Sequence, residues 1–211
     1  MITFEQITGA RDILHHLILT KWLTQDLFSA RWWGIVAFIV FSYILVFSLL
    51  DKKRSTQILL FGALMTVSIV TYDLAGANFG LWGYKIRLFP LIPGVFLYDY
   101  TLIPLYYMLV YQYSPDWKSF FLWNAVLAGT IGFLFFPGLV ALDIIQFKNW
   151  LPGYQTAAPF AFALLNRAVV LKTLQLEKSK AVAAPSIVRR LSPQPARKPL
   201  KPREHRENRK E

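Results

Sequence analysis

Residues 32–50 read WWGIVAFIVFSYILVFSLL, nineteen residues without a charge between Arg31 and Asp51. A helix of that length runs about 28 Å at 1.5 Å per residue, close to the roughly 30 Å hydrocarbon core of a bilayer. Similar stretches follow. Eighteen uncharged residues separate Arg54 from Asp73, 24 separate Lys118 from Asp143, and 18 separate Lys148 from Arg167. From Leu88 to Pro115 the one charge is Asp99. This pattern predicts five spans, near 32–50, 58–77, 92–113, 119–142 and 154–172. Pro93, Pro104 and Pro137 fall inside the third and fourth, where neighbouring helices can satisfy the carbonyls that proline frees. The fifth carries Pro159, Asn166 and Arg167. Arg167 lies near its end and reads as a side chain reaching for the interface.

Composition points the same way. Of 211 residues, 55% are hydrophobic and 17% charged, against about 25% charged in soluble domains. A disordered chain is excluded by the hydrophobicity, and a disulfide scaffold by the absence of Cys. The expected fold is all-α, a polytopic transmembrane helix bundle. Residues 178–211 hold 11 Lys/Arg and 3 Asp/Glu, a net of +8, while residues 1–177 hold 12 and 9, a net of +3. The basic balance therefore belongs to the tail and gives no reason to expect a nucleic-acid partner. With Pro185, Pro193, Pro195, Pro199 and Pro202, residues 178–211 read as a disordered segment that attracts anionic phospholipid.

Residues 1–31 form a third part. Ile7, Ile13, Leu14, Leu17, Ile18 and Trp22 recur at helical spacing among Arg11, Asp12, His15, Gln25 and Asp26. This predicts an amphipathic helix, either in the membrane interface or packed on the protein's own loops. Residues 32–177 are the transmembrane helical domain. The Asp51-Lys52-Lys53-Arg54 loop, Lys118 and the tail share one side. Their excess of Lys/Arg places that side, with the carboxyl terminus, in the cytoplasm of a multi-pass cell-membrane protein. The amino terminus is then outside. Trp32, Trp33, Trp82, Trp117 and Trp150 fall at span ends or loops, as an interfacial aromatic belt requires.

Tyr98-Asp99-Tyr100, Pro104, Met108-Leu109-Val110-Tyr111-Gln112-Tyr113 and Trp117-Lys118-Ser119-Phe120 occur in that order, followed by Pro137, Trp150 and Tyr154. This arrangement resembles the central motif of a family of small polytopic membrane proteins of spore-forming Gram-positive bacteria. The likeness covers roughly residues 32–170, with YQY…WK its most specific part. It implies a multi-helix membrane fold and supplies no activity, cofactor or catalytic residue. Members of that family often carry Glu before the fourth-span proline, where this chain has Phe136.

A central Asp, Lys or Arg costs about 2.5–3.5 kcal/mol to insert, so intramembrane charges are candidates for function. Asp99 lies inside the third span and Asp73 near the far end of the second. The two spans make one hairpin, which puts both carboxyl groups toward the same face. The connecting loop carries Lys85 and Arg87, and the fourth span ends there at Asp143. The functional reading is one polar pocket of Asp73, Asp99, Lys85, Arg87 and Asp143. The structural reading pairs Asp99 with Arg87, or caps it with tyrosine hydroxyls, to lock the hairpin. Asn124 reads as a hydrogen-bonding contact between helices. The Gly76-Ala-Asn-Phe-Gly80 run lies at a span end, where it predicts close loop packing.

Adjacent His15 and His16 diverge by about 100° on a helix and do not face one metal ion. No Walker loop, HExxH, GxSxG or CxxC motif occurs, so no cofactor or metal is expected and no catalytic residue is assigned. The first functional expectation is a non-enzymatic structural or accessory membrane protein whose tail contacts anionic lipid or a cytoplasmic partner. Two alternatives stand beside it. One is a small-solute or proton-coupled transporter using Asp99 and Asp73. The other is a membrane-embedded lipid-modifying enzyme.

Overall fold

The structure, a computed structural model, describes residues 1–91, 98–148 and 150–191. Its helices are α1 (Phe4–Lys21), α2 (Ala30–Leu49), α3 (Ser55–Asn78), α4 (Ile103–Tyr113), α5 (Trp117–Thr130), α6 (Phe136–Ala141) and α7 (Pro152–Leu191). Single π-turns at Trp22–Asp26, Tyr98–Leu102 and Ile131–Phe135 extend α1, lead into α4 and join α5 to α6. Met1–Leu171 form one compact unit, and Lys172 begins a second.

Four helices are long and apolar enough to cross a membrane: Ala30–Leu49, Lys52–Asn78, Trp117–Ala141 and Pro152–Ser179. The burial pattern supports a lipid solvent. Phe41, Ile44, Phe47, Val67, Phe121, Leu122, Phe133, Leu134 and Leu165 are exposed, while Ser42, Asp73, Asp99, Gln112, Asn124, Gln155, Asn166 and Arg167 are buried. In water that distribution would cost free energy, since large contiguous apolar surfaces are avoided there. In lipid the outer surface needs no further cover.

The expected third span is described only from Tyr98, over 16 residues to Tyr113, or about 24 Å of helix. It is nonetheless the most enclosed element. Ile103, Pro104, Leu105, Tyr107, Met108, Tyr111 and Gln112 are all buried. Pro104 stands where the Tyr98–Leu102 π-turn passes into α4, and it contributes no N–H to the helical hydrogen bonds there.

The expected all-α class holds for the described elements, to which one short ladder is added, and two other expectations are corrected. A two-stranded antiparallel ladder joins β1 (Trp82–Tyr84) to β2 (Ile145–Phe147), with Gly83 opposite Gln146. Both strands are three-residue stretches inside loops, too short for an alternating pattern to stand out. The tail does not begin disordered, because α7 continues through Lys178 to Leu191. Ala181, Ala183 and Ala184 favour helix, and a helix already nucleated extends without a new nucleation cost. The rest of the expected tail, 192–211, lies outside the described residues. Trp82, assigned to an aromatic belt, is only 4% exposed.

In α1, Thr3 and Gln6 form a reciprocal capping box and no residue is buried. Phe4, Ile7, Ile13, Leu14 and Leu17 are exposed. The chain after α1 straps the β1 loop. Lys21 Nζ donates to the Lys85 carbonyl (2.6 Å) and the Trp22 indole to the Arg87 carbonyl (3.1 Å). The Trp32 indole donates to the Leu88 carbonyl (3.2 Å).

Candidate functional site

Asp73 is held one turn before the end of α3, and the chain leaves that helix through Gly80, whose φ of +67° suits glycine. The turn folds β1 back across the helix end. There Trp82 Nε1 and the Tyr84 hydroxyl both donate to Asp73 Oδ1, at 2.6 Å and 2.5 Å. Gly76 permits this. A Cβ at that position would collide with the six-membered ring of Trp82, so the indole lies directly on the helix backbone. The expectation of close loop packing is met at Gly76, while Gly80 has nothing within 4 Å of an added Cβ.

Asp99 arrives from the π-turn before α4 and is 4% exposed, as is Asp73. Tyr84, whose hydroxyl donates to Asp73, lines the same cavity as Asp99. The second oxygen of each, Asp73 Oδ2 and Asp99 Oδ2, is buried without a hydrogen-bond partner. Both residues line one cavity of about 10 Å³, together with Tyr72, Trp82, Tyr84, Phe136 and Gln155 among others. That is space for about one water molecule. No Lys, Arg or His is among its lining residues.

The five residues expected in one pocket therefore separate. Asp73 and Asp99 come together. Asp99 is not paired with Arg87, whose Nη1 donates to the Leu91 carbonyl (2.7 Å) and whose backbone N–H donates to Asp26 Oδ2 (3.3 Å). The strap after α1 draws Arg87 toward Asp26 and away from the hairpin interior. Lys85 and Asp143 form an outer pair at 2.5 Å, joined by Arg31 at 3.3 Å. The Asp143 side chain is 51% exposed. The hydrogen bond from Lys85 holds its carboxyl below the ordinary carboxylate range, aided by the charges of Lys85 and Arg31.

Two buried charges had a different reading in the sequence. Asp26 is 1% exposed and bonded to Lys21 at 2.5 Å. The helical spacing of residues 1–31 puts it on the polar face of an amphipathic helix. Its burial follows from Trp22 and Trp32 docking on the 85–88 segment, a long-range contact that no local pattern carries.

Arg167 does not reach for the interface. It is 3% exposed and donates to the Ser114 carbonyl (2.9 Å) and the Pro115 carbonyl (3.2 Å). Its guanidinium lies 4.4 Å from the Phe120 ring centroid and 5.3 Å from that of Trp117. It thus closes the α4–α5 turn. Gln112 of the YQY element does similar work at that end, donating to the Leu49 carbonyl (2.8 Å) and accepting from the Asp51 N–H (2.9 Å). Asn124 donates to the Phe160 carbonyl at 3.0 Å, the contact between helices expected of it.

Comparison with protein-family models, curated proteins and solved structures gave no match.

Proposed function

We propose that the protein is a non-enzymatic integral membrane protein whose working part is a proton-exchange site formed by Asp73 and Asp99. The observation that carries this reading is the pair of unpartnered carboxyl oxygens on one water-sized cavity without a basic side chain. Uncompensated carboxyl groups in a bilayer are costly, and a purely structural tie would not require the second one. Tyr84 donates to Asp73 from the wall of the cavity that Asp99 shares, and a water there would complete a hydrogen-bonded path between the two carboxyl groups. A proton on Asp73 converts the bonds from Trp82 and Tyr84 from charge-assisted to neutral, about half as strong. Proton occupancy is thereby linked to the hold on the β1–β2 cap. That linkage favours a proton-coupled role over a solely structural one. The cavity is too small for a lipid head group, and its lining residues include no Ser, Thr, Cys or His, so lipid modification gains no support.

In this reading α4 counts as a fifth crossing, with the cap and amino terminus outside and the carboxyl terminus in the cytoplasm. The exposed apolar side chains of α1 lie in the interface. The tail contributes surface attraction to anionic lipid. The test is infrared difference spectroscopy of the full-length protein in lipid between acidic and alkaline buffer. A protonated-carboxyl band should appear and should shift or vanish in both Asp73→Asn and Asp99→Asn. Spectra identical for wild type and both variants would defeat the proposal.

A further inference from the structure

We propose that the furrow between α2 and the α5–α6 stretch seats an acyl chain of one anionic phospholipid, whose phosphate is held at the mouth by Arg31. The proposal stands independently of the carboxyl pair. The furrow consists of two adjoining cavities. The larger, about 600 Å³, is lined by Gly34, Ile35, Leu134, Gly138 and Leu142, with Arg31 at one end. The smaller, about 230 Å³, extends to Tyr106, Leu127 and Thr130. The two share Phe38, Leu102 and Phe135.

From Leu142 to Leu127 the furrow follows 15 residues of near-continuous helix, about 22 Å. Half the hydrocarbon core is about 15 Å, so a chain entering at the interface can lie in it past the midplane. Gly34 and Gly138 hold the space open, since a Cβ at either meets nothing within 4 Å. α2 buries only Ile35, Ser42 and Val46, so it packs sparsely on the face that Ile35 and Phe38 turn to the furrow.

The mouth supplies the choice of head group. Arg31 and Lys85 share the single carboxylate of Asp143, which leaves one positive charge over. Arg31 is half-exposed and carries a planar guanidinium suited to phosphate. A zwitterionic lipid would bring its own cation to the same place. An anionic one would neutralise the excess.

The test uses the full-length protein purified in mild detergent, exchanged with phosphatidylglycerol or phosphatidylcholine of matched chains and weighed by native mass spectrometry. One phosphatidylglycerol per chain should be retained, favoured about fivefold over phosphatidylcholine, the effect of one cation near an anionic head group. Arg31→Gln should bring that ratio close to one, and Arg31→Lys should restore most of it. Gly34→Leu and Gly138→Leu should lower retention of both lipids. Equal retention of the two lipids by the wild type, or unchanged retention in both leucine variants, would overturn the proposal. So would a lipid-free dimer, which would assign the furrow to a second copy. If a leucine variant fails to fold, the Arg31 pair decides, because that side chain is half-exposed and carries little of the fold.

Discussion

Asp73 and Tyr84 are eleven residues apart in sequence and 2.5 Å apart in space, the carboxylate on α3 and the hydroxyl on β1. This contact makes the loop after α3 a cap on the bundle. Tyr84→Phe removes the hydroxyl that donates to Asp73 while keeping the ring. It should lower stability by about 1–2 kcal/mol, the range of hydrogen bonds to charged groups and of contacts within membranes. Thermal unfolding in detergent measures this, and an unchanged midpoint would mean that the hydroxyl does not bind the cap.

Arg167→Lys separates two accounts of a charge near the end of a hydrophobic helix. A side chain reaching for the interface would accept Lys without loss. The Arg167 seen here spans two carbonyls and lies over Phe120 and Trp117, a planar arrangement that an ammonium does not reproduce. The expected loss is about 1–3 kcal/mol, read as a lowered midpoint for irreversible thermal aggregation. Arg167→Met should cost at least as much, because it leaves the Ser114 and Pro115 carbonyls without the guanidinium.

The helices long and apolar enough to cross a membrane were legible in the sequence because lipid imposes a length rule, and charge-free runs such as 32–50 satisfy it without knowledge of packing. The meeting of Asp73 and Asp99 was legible for a related reason. A hairpin returns its two ends to one face, so a carboxyl near the end of one helix and another near the start of the next must lie close. What joins them was not legible. Trp82, Tyr84 and Asp26 take their partners from segments distant in sequence or through a tight turn. The 3.6-residue pattern records only which face is apolar. Arg87 was misplaced on the same grounds: nearness in sequence to Asp99 suggested a pair, and the strap from Asp26 prevailed.

Asp143 gives a pH dependence with a definite sign. Its carboxyl is held low by the Lys85 hydrogen bond. Its stabilising contribution is therefore complete above the ordinary value of about 3.9 and is lost as pH falls from there through the lowered folded value. Its φ of 58° is left-handed, a conformation Asn also tolerates, so Asp143→Asn removes the charge and little else. Hydrogen-exchange protection of the Lys85 N–H, bonded to the Ile144 carbonyl at 2.8 Å, should weaken below that pH in the wild type. In Asp143→Asn it should be weaker at neutral pH and nearly flat with pH. Because the group is exposed, added salt should reduce the difference. Parallel profiles for the two proteins would show that the ion pair does not hold the ladder.

Gly76 and Gly80 lie four residues apart, and the structure gives them different work, which alanine substitution can tell apart. At Gly80 a Cβ meets nothing within 4 Å, but φ is +67°. Gly80→Ala should cost about 1–2 kcal/mol through backbone strain alone, whatever residue occupies position 82. At Gly76 the backbone is ordinary helix, and the added methyl strikes the Trp82 indole. That ring cannot retreat. Tyr72 and Trp150 flank it at 5.4 Å and 5.3 Å, and its Nε1 is bonded to Asp73 at 2.6 Å. Gly76→Ala should therefore cost about 1–3 kcal/mol, the range for overpacking a filled interior, and should loosen the cap over the carboxyl pair. Trp82→Phe is destabilising alone but leaves room for the methyl. The double variant should then be more stable than the sum of the two single losses, by about 1 kcal/mol or more in a double-mutant cycle. Thermal unfolding of the four proteins closes that cycle, and simple additivity would place the indole away from Gly76.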